Sequence, residues 1–228
     1  MHNIYLILTK HRESGLCNSD ELLKIFEKIK PDVIFEEISP SRFNAYYKDH
    51  SVSTLETNSI KKYLEIQKIK NIPVDKDIDM SEVIKEYKYF RYLNDFFFNN
   101  SIDYCKLWER NVQMTDQYGF KYLNSTTYTE ASNNIRNMEK TLIKCCNSKE
   151  LVHRYTIWVN SLLERDVTML DNIYNYCKKN YFERGIFTIG AEHKISILEL
   201  IQQNKDNQIK INWIYDEYNI DIAQTNGT

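Results

Sequence analysis

Imidazoles and carboxylates recur at one kind of place along this chain, directly after short apolar runs. His11 follows the run Ile4 to Leu8, with Glu13 close behind. Glu36 and Glu37 follow Val33-Ile34-Phe35, with Arg42 nearby. Asp75 and Asp77 come after Asn71 to Val74, and Glu192 and His193 after Gly185 to Ile189. Imidazole nitrogen suits Zn, Mn, Fe or Co, while carboxylates add negative charge and leave a coordination position open to water. The mixture therefore suits a divalent transition metal. A lone histidine after a strand is ordinarily a cap or a surface residue; the signal here is the recurrence at successive run ends. Adjacent residues of an extended chain face opposite sides, so one of Glu36 and Glu37 is expected to look into such a site. His2, His50 and His153 have no comparable placement and read as structural or surface residues.

Parallel strands are the elements that must position these groups. Ile4 to Leu8 and Val33 to Phe35 are continuously apolar, the pattern of strands buried on both faces. Between them Asn18 or Ser19 can cap a helix with Asp20 and Glu21 in its first turn. Leu22, Leu23, Phe26 and Ile29 make its apolar face, and Pro31-Asp32 stops it. A helix over about Leu55 to Ile69 leads to a short third strand at Asn71 to Asp75. Strand, helix, strand, helix, strand implies a parallel sheet with right-handed crossovers. Ligands of such sheets bind outside the carboxyl ends of the strands, which is where the histidines and acids fall.

From about Ser81 to Lys178 the pattern is helical. It begins with an aromatic-dense stretch holding Tyr87, Tyr89, Phe90, Tyr92, Phe96, Phe97 and Phe98. These rings read as core or a helix-pair interface, and in the sharper reading as a substrate wall or dimer surface. A polar loop follows at Asn124 to Thr127, then a helix from about Thr129 to Cys146 and a long one over about Leu151 to Lys178. The buried-strand pattern returns at Gly185 to Ile189, followed by a helix over Ile195 to Gln203. Ile209 to Tyr215 alternates like an edge strand, and the polar tail from Ala223 to Thr228 reads as disordered. The expected fold is α/β: one domain over residues 1–228, a mostly parallel sheet flanked by helices. A large all-helical insertion at about residues 81–160 is expected to roof the strand ends.

The long helix carries an anomaly. Leu162, Asp166, Met169 and Ile173 share one face by their spacing, so Asp166 lies in the apolar stripe with Arg165 beside it. A buried charge needs a partner. Either Arg165 and Asp166 together tie helix to sheet, or Arg165 reaches the site edge to hold a carboxylate or stabilise an oxyanion.

Composition removes several classes. Lys and Arg number 30 against 32 Asp and Glu, so no overall charge draws the chain to nucleic acid or an anionic membrane. With only 5 Gly and 3 Pro, a Gly-rich nucleotide loop or a turn-dense all-β fold has little material. The 5 cysteines are odd in number and lack CxxC spacing, which argues against a disulfide framework or thiolate zinc site and for a reducing, cytoplasmic setting. No run approaches a membrane span, and the N-terminal run lacks signal-peptide flanks.

The order of motifs resembles the TraB/PrgY–Tiki family, and more distantly the erythromycin esterase and ChaN-like proteins. The carrying segments are Leu8-Thr9-Lys10-His11 and Pro31-Asp32-Val33-Ile34-Phe35-Glu36-Glu37 with Arg42. They continue with Arg165-Asp166-Val167-Thr168-Met169 and Gly190-Ala191-Glu192-His193. They match a strand ending in Gly-x-x-His, an Asp-Val-x-x-Glu strand with a following Arg, an Arg-Asp-x-x-Met helix and a second Gly-x-x-His. The likeness covers both ends of the chain and not the helical middle. One departure is Leu8, which stands where the first motif has Gly.

The resemblance implies a metal-dependent hydrolase. Its ligands would be His11, His193 and one of Glu36 or Glu37, with the spacing to Arg42 favouring Glu37. The ion would be Mn, Co, Zn or Fe. Glu36 or Glu192 would be the general base, Arg165 would stabilise developing negative charge, and Arg42, Asp75 and Asp166 would contact substrate. The expected substrate is a peptide or a small ester or amide, with no nucleic-acid or membrane partner and a homodimer through the helical insertion. The second reading, favoured by Leu8, is a protein on the same fold that binds a peptide or small ligand without turnover.

Overall fold

The computed structural model describes residues 1–203 and 209–215; the tail from Ala223 to Thr228 lies outside the described residues. The strands are β1 His2–Thr9, β2 Val33–Glu36, β3 Lys70–Pro73, β4 Arg184–Gly190 and β5 Ile211–Ile214. The helices are α1 Ser19–Ile29, α2 Phe43–Tyr47, α3 Leu55–Ile66, α4 Met80–Asn100, α5 Ile102–Leu123, α6 Thr126–Cys145, α7 Lys149–Lys179 and α8 Lys194–Gln203. All pairings are parallel and the sheet order is β3-β2-β4-β1-β5. The fold is α/β, as the run pattern implies. Proline ends β3, an edge strand, where its missing N–H costs least.

Strand order decides where a site can form. From β1 the chain runs outward to β2 and β3, then returns to insert β4 between β2 and β1. Right-handed crossovers place α1 and α3 on one face of the sheet, and α8 with the helices of the middle segment on the other. The packing of α1 on α3 and of α7 on α8 agrees. Loops leaving β4 and its neighbours thus diverge to opposite faces, opening a crevice at the carboxyl end of β4.

Local signals hold most elements. Asn18 caps α1 by accepting from the Glu21 N–H at 3.0 Å, and Lys30 closes it in the left-handed region at φ 53. Thr54 and Thr57 form a reciprocal capping box on α3. That helix ends at Ile66, short of Ile69, and the Asn124 to Thr127 loop shrinks to Asn124 and Ser125 because the Ser125 hydroxyl caps α6.

The helices of residues 80–179 build a second apolar cluster apart from the sheet core, with Leu93, Phe97, Tyr104, Ile135, Ile143 and Leu151 buried in it. Phe96, Phe97 and Phe98 all pack there, Phe96 edge-on to Phe97 and Phe98 edge-on to Tyr104 and Trp108. None lines the crevice, so the expectation that these rings wall a substrate cleft is corrected. Three consecutive aromatics cannot share one helix face, and neighbouring helices supply the extra surfaces instead. The helical segment reaches the crevice through Val83 and Glu86 in the first turns of α4 and through Arg165 of α7. Among the described residues no helix is long and apolar enough to cross a membrane, and all the cysteines are free.

Helix α5 grips β1 and its following loop. Beyond Tyr5 the β5 side of β1 has no strand partner among the described residues. There the Asn124 side chain substitutes for one, accepting from Leu8 N–H at 2.8 Å and donating to Leu8 C=O at 3.2 Å. Leu8 is paired with Ile189 and buried in the sheet core. Farther along, Gly119 breaks the helix at φ 53, ψ −134, and a Cβ there would stand 2.4 Å from Leu16 O. That close approach, with Leu16 N–H donating to Asp116 O at 2.8 Å, seats the loop that carries His11. Replacing Asn124 by Ala leaves two buried strand groups unpaired. The expected loss is about 1–3 kcal/mol, read as a lowered urea midpoint with unchanged slope.

Candidate functional site

Glu37 lies at the centre of the crevice. Its side chain is 5% exposed. Oε1 accepts from Arg165 Nη2 at 2.5 Å and faces His193 Nε2 at 3.2 Å. Oε2 accepts from the Gly190 N–H at 2.6 Å. A Cβ on Gly190 would lie 3.2 Å from Glu37 Oε2 and 3.5 Å from His11 Nε2, so the glycine makes room for both side chains. Burial alone would push the Glu37 carboxyl up, but His193, Arg165 and His11 around it hold its pKa well below the ordinary value.

Each histidine is backed by a buried carboxylate on its other nitrogen. His193 Nδ1 bonds Asp166 Oδ1, and the second Asp166 oxygen accepts from the Ser196 hydroxyl. His11 Nδ1 is 3.4 Å from Glu56 Oε1, which also accepts from the Thr9 hydroxyl at 2.5 Å. The loop and α3 are joined at this point, since Leu55 N–H donates to His11 O at 3.3 Å. Burial opposes charging His193, yet the Glu37 carboxylate and the bond to Asp166 outweigh it and raise its pKa to about 10. The hydrogen bond to Glu56, helped by Glu37, lifts His11 to about 9 against partial burial. Its side chain is 57% exposed, so water screens part of this effect.

Sequence neighbours on α7 divide the work. Arg165 does not pair with Asp166. It clamps Asp75 with Nε at 3.1 Å and Nη2 at 2.8 Å while also holding Glu37. Asp75 is thus engaged by Arg165, and Asp166, fully buried, lies outside the crevice wall. Two turns on from Arg165, Asn172 donates to Val74 O at 2.8 Å and fixes the helix to the end of β3.

Glu36 and Glu37 both reach the crevice, correcting the expectation that one would face away. The strand ends at Glu36 and the chain turns at once, with Ile38 N–H donating to Glu36 O at 2.7 Å, so strand alternation no longer applies. Glu36 is 2% exposed. Its Oε2 accepts from Tyr47 OH at 2.6 Å and Asn71 Nδ2 at 2.8 Å, and its Oε1 has no partner among the described residues. Burial lifts its pKa to about 7 against those two donors.

The crevice encloses about 260 Å³, with His11, Glu36, Glu37, Glu56, Asp75 and Arg165 in its wall. Arg42 also lines it, whereas Glu192 is exposed and absent from the wall. His193 is buried behind Glu37 and not in the wall itself. Among the described residues no group of three or more His, Cys, Asp or Glu side chains stands in a metal-holding arrangement. Sequence reasoning missed Glu56. The available signal was its place in the first turn of α3, because a βαβ crossover starts its helix at the carboxyl edge of the sheet. Compared with descriptions of known protein families, with curated proteins and with solved structures, the chain matches none.

Two outcomes follow from this geometry. Replacing Arg165 by Leu leaves Asp75 without its cation and Glu37 with the histidines alone; the expected cost is about 3 kcal/mol, measured by urea unfolding. The pH dependence has a definite sign. His193 has its pKa raised from 6.5 to about 10, so its stabilisation is complete below 6.5 and disappears as pH rises through about 10. In chelator-treated protein the unfolding midpoint should fall across that window. His193→Gln should flatten the profile there.

Proposed function

We propose that the chain is a metal-dependent hydrolase acting on a peptide or a small ester or amide, the class that the TraB/PrgY–Tiki resemblance implies. One observation carries the reading. Both histidines give Nδ1 to a buried carboxylate, Glu56 or Asp166, and turn Nε2 toward Glu37 and Gly190. That is the outer-shell pattern of metal-binding histidines, which fixes the tautomer and strengthens the donor nitrogen.

The donor types suit an ion, and one pair of them already stands at ligand spacing. His193 Nε2 and Glu37 Oε1 are 3.2 Å apart, close to the roughly 3.3 Å separating two tetrahedral ligands with bonds of about 2.0–2.1 Å. Exchanging two imidazolium protons for one divalent ion leaves the net charge of the cluster unchanged. His11, His193 and Glu37 would hold the ion; when bound, it supplies Lewis acidity to a carbonyl and acidifies water.

The chain's own groups do the remaining work. Glu36, poised near pH 7 at the wall, takes and returns a proton as general base, a role its burial suits better than the exposed Glu192. Arg165 keeps Glu37 and Asp75 ionised and presents positive charge where an oxyanion develops. Asp166 orients His193, and Asp75 orients Arg165. A second reading, ligand binding without turnover, is favoured by the prior engagement of Glu37 and Asp75 by Arg165.

Elemental analysis and metal titration of the full chain test the proposal. The expected result is one divalent ion per chain, lost in His11→Ala and His193→Ala. Affinity should be weakened about tenfold to a hundredfold in Glu56→Gln and Asp166→Asn. A protein that takes up no transition metal would sink the hydrolase reading. One that binds metal yet cleaves no amide or ester would favour the second.

A further inference from the structure

Arg42 is the uncommitted cation of the crevice. The other basic side chains in the wall are engaged: Arg165 with Glu37 and Asp75, His11 with Glu56, and Lys76 with Glu164 at 2.8 Å. Among the described residues no carboxylate lies within ion-pair distance of Arg42. Yet Glu36, Glu37, Glu56, Asp75 and Glu86 share its crevice. What steadies Arg42 is the Tyr46 ring, 5.7 Å below its guanidinium carbon, and a short turn, Pro40–Arg42, whose last N–H donates to Ser39 O at 3.1 Å. A half-buried guanidinium held over a ring, with its donor edge unused among the described residues, is built to receive an oxyanion.

We propose that Arg42 is the specificity residue of this site and binds a substrate carboxylate, so that the substrate is a small amide or ester bearing a free carboxylate near the reacting bond. The location of that bond rests on the hydrolase reading above. A planar carboxylate matches the guanidinium fork through two parallel N–H bonds. The acid-rich wall opposes a doubly charged phosphate and tolerates a single negative charge. Ile38, Ile78 and Val83 give the crevice an apolar side for the substrate body. The volume of about 260 Å³ is below the roughly 300–1,000 Å³ of sites for larger ligands, which limits the substrate to about one or two residues.

The test uses the full chain with two probes of equal size, N-acetylglycine and N-acetylglycinamide, and inorganic phosphate as a third. Binding is followed by protein NMR in chelator-treated samples. N-acetylglycine should bind about tenfold to a hundredfold more tightly than the amide, and more tightly than phosphate. Arg42→Gln should erase the difference between the first two at an unchanged melting temperature. Should Arg42→Gln fail to fold, Arg42→Lys decides: it keeps the charge without the fork and should bind N-acetylglycine several-fold more weakly than the wild type. The proposal is overturned by equal binding of carboxylate and amide, by no saturable binding of either, or by phosphate binding more tightly than N-acetylglycine. Selectivity surviving in Arg42→Gln, or unchanged affinity in Arg42→Lys, also overturns it. Metal uptake is read separately. Failed probe binding with intact metal uptake rejects the Arg42 assignment alone, and absent metal uptake with selective probe binding rejects only the hydrolase reading.

Discussion

A single carboxylate buried beneath cations organises this protein. Glu37 is removed from water, and a bare carboxylate there would cost several kcal/mol. Its two oxygens therefore draw in Arg165 from α7, His193 from the turn after β4, the Gly190 N–H, and the neighbourhood of His11 after β1. Four chain segments separated by up to about 180 residues meet at one side chain. The sheet's order makes this meeting geometrically available, because inserting β4 between β2 and β1 brings their carboxyl ends together.

Further acids tune the meeting. Asp166 and Glu56 sit behind the two histidines and keep their outer nitrogens aimed at Glu37 and Gly190. Asp75 fixes the plane of Arg165 through a two-pronged contact. Glu36, by contrast, has no cation partner and only two neutral donors among the described residues, so burial moves it toward neutrality at pH 7. Neighbouring glutamates in one crevice are thus driven to opposite protonation behaviour, the arrangement an acid–base site needs.

The helical segment is more than a cover. It keeps the rings of α4 in a core of its own, it joins the sheet core through Phe120, Leu123, Met169, Leu170 and Ile173, and it adds polar clasps: Asn124 on Leu8, Asp116 and Gly119 on the His11 loop, and Ser125 O accepting from the buried Lys194 at 2.8 Å. Such contacts demand defined geometry where apolar packing tolerates sliding. They place His11 and the start of α8 relative to a rigid body.

Much of the fold is legible in the sequence alone. Strands buried on both faces must be continuously apolar, so Ile4 to Leu8, Val33 to Phe35 and Ile186 to Ile189 announced a parallel sheet, and Asn18 or Ser19 announced a helix start. The histidines and acids that follow those runs had to lie at one sheet edge. What local pattern does not encode is partnership. That Arg165 and Asp166, adjacent on α7, serve different partners depends on which strand ends lie on either side of the helix. That Glu36 and Glu37 share a crevice depends on a turn of one hydrogen bond. Glu56 became part of the site only because α3 begins beside the His11 loop, and the Phe96–Phe98 rings left it because other helices offered them a dry surface. Periodicity is a property of neighbours in the chain, whereas the pairing of buried charges is decided by neighbours in space.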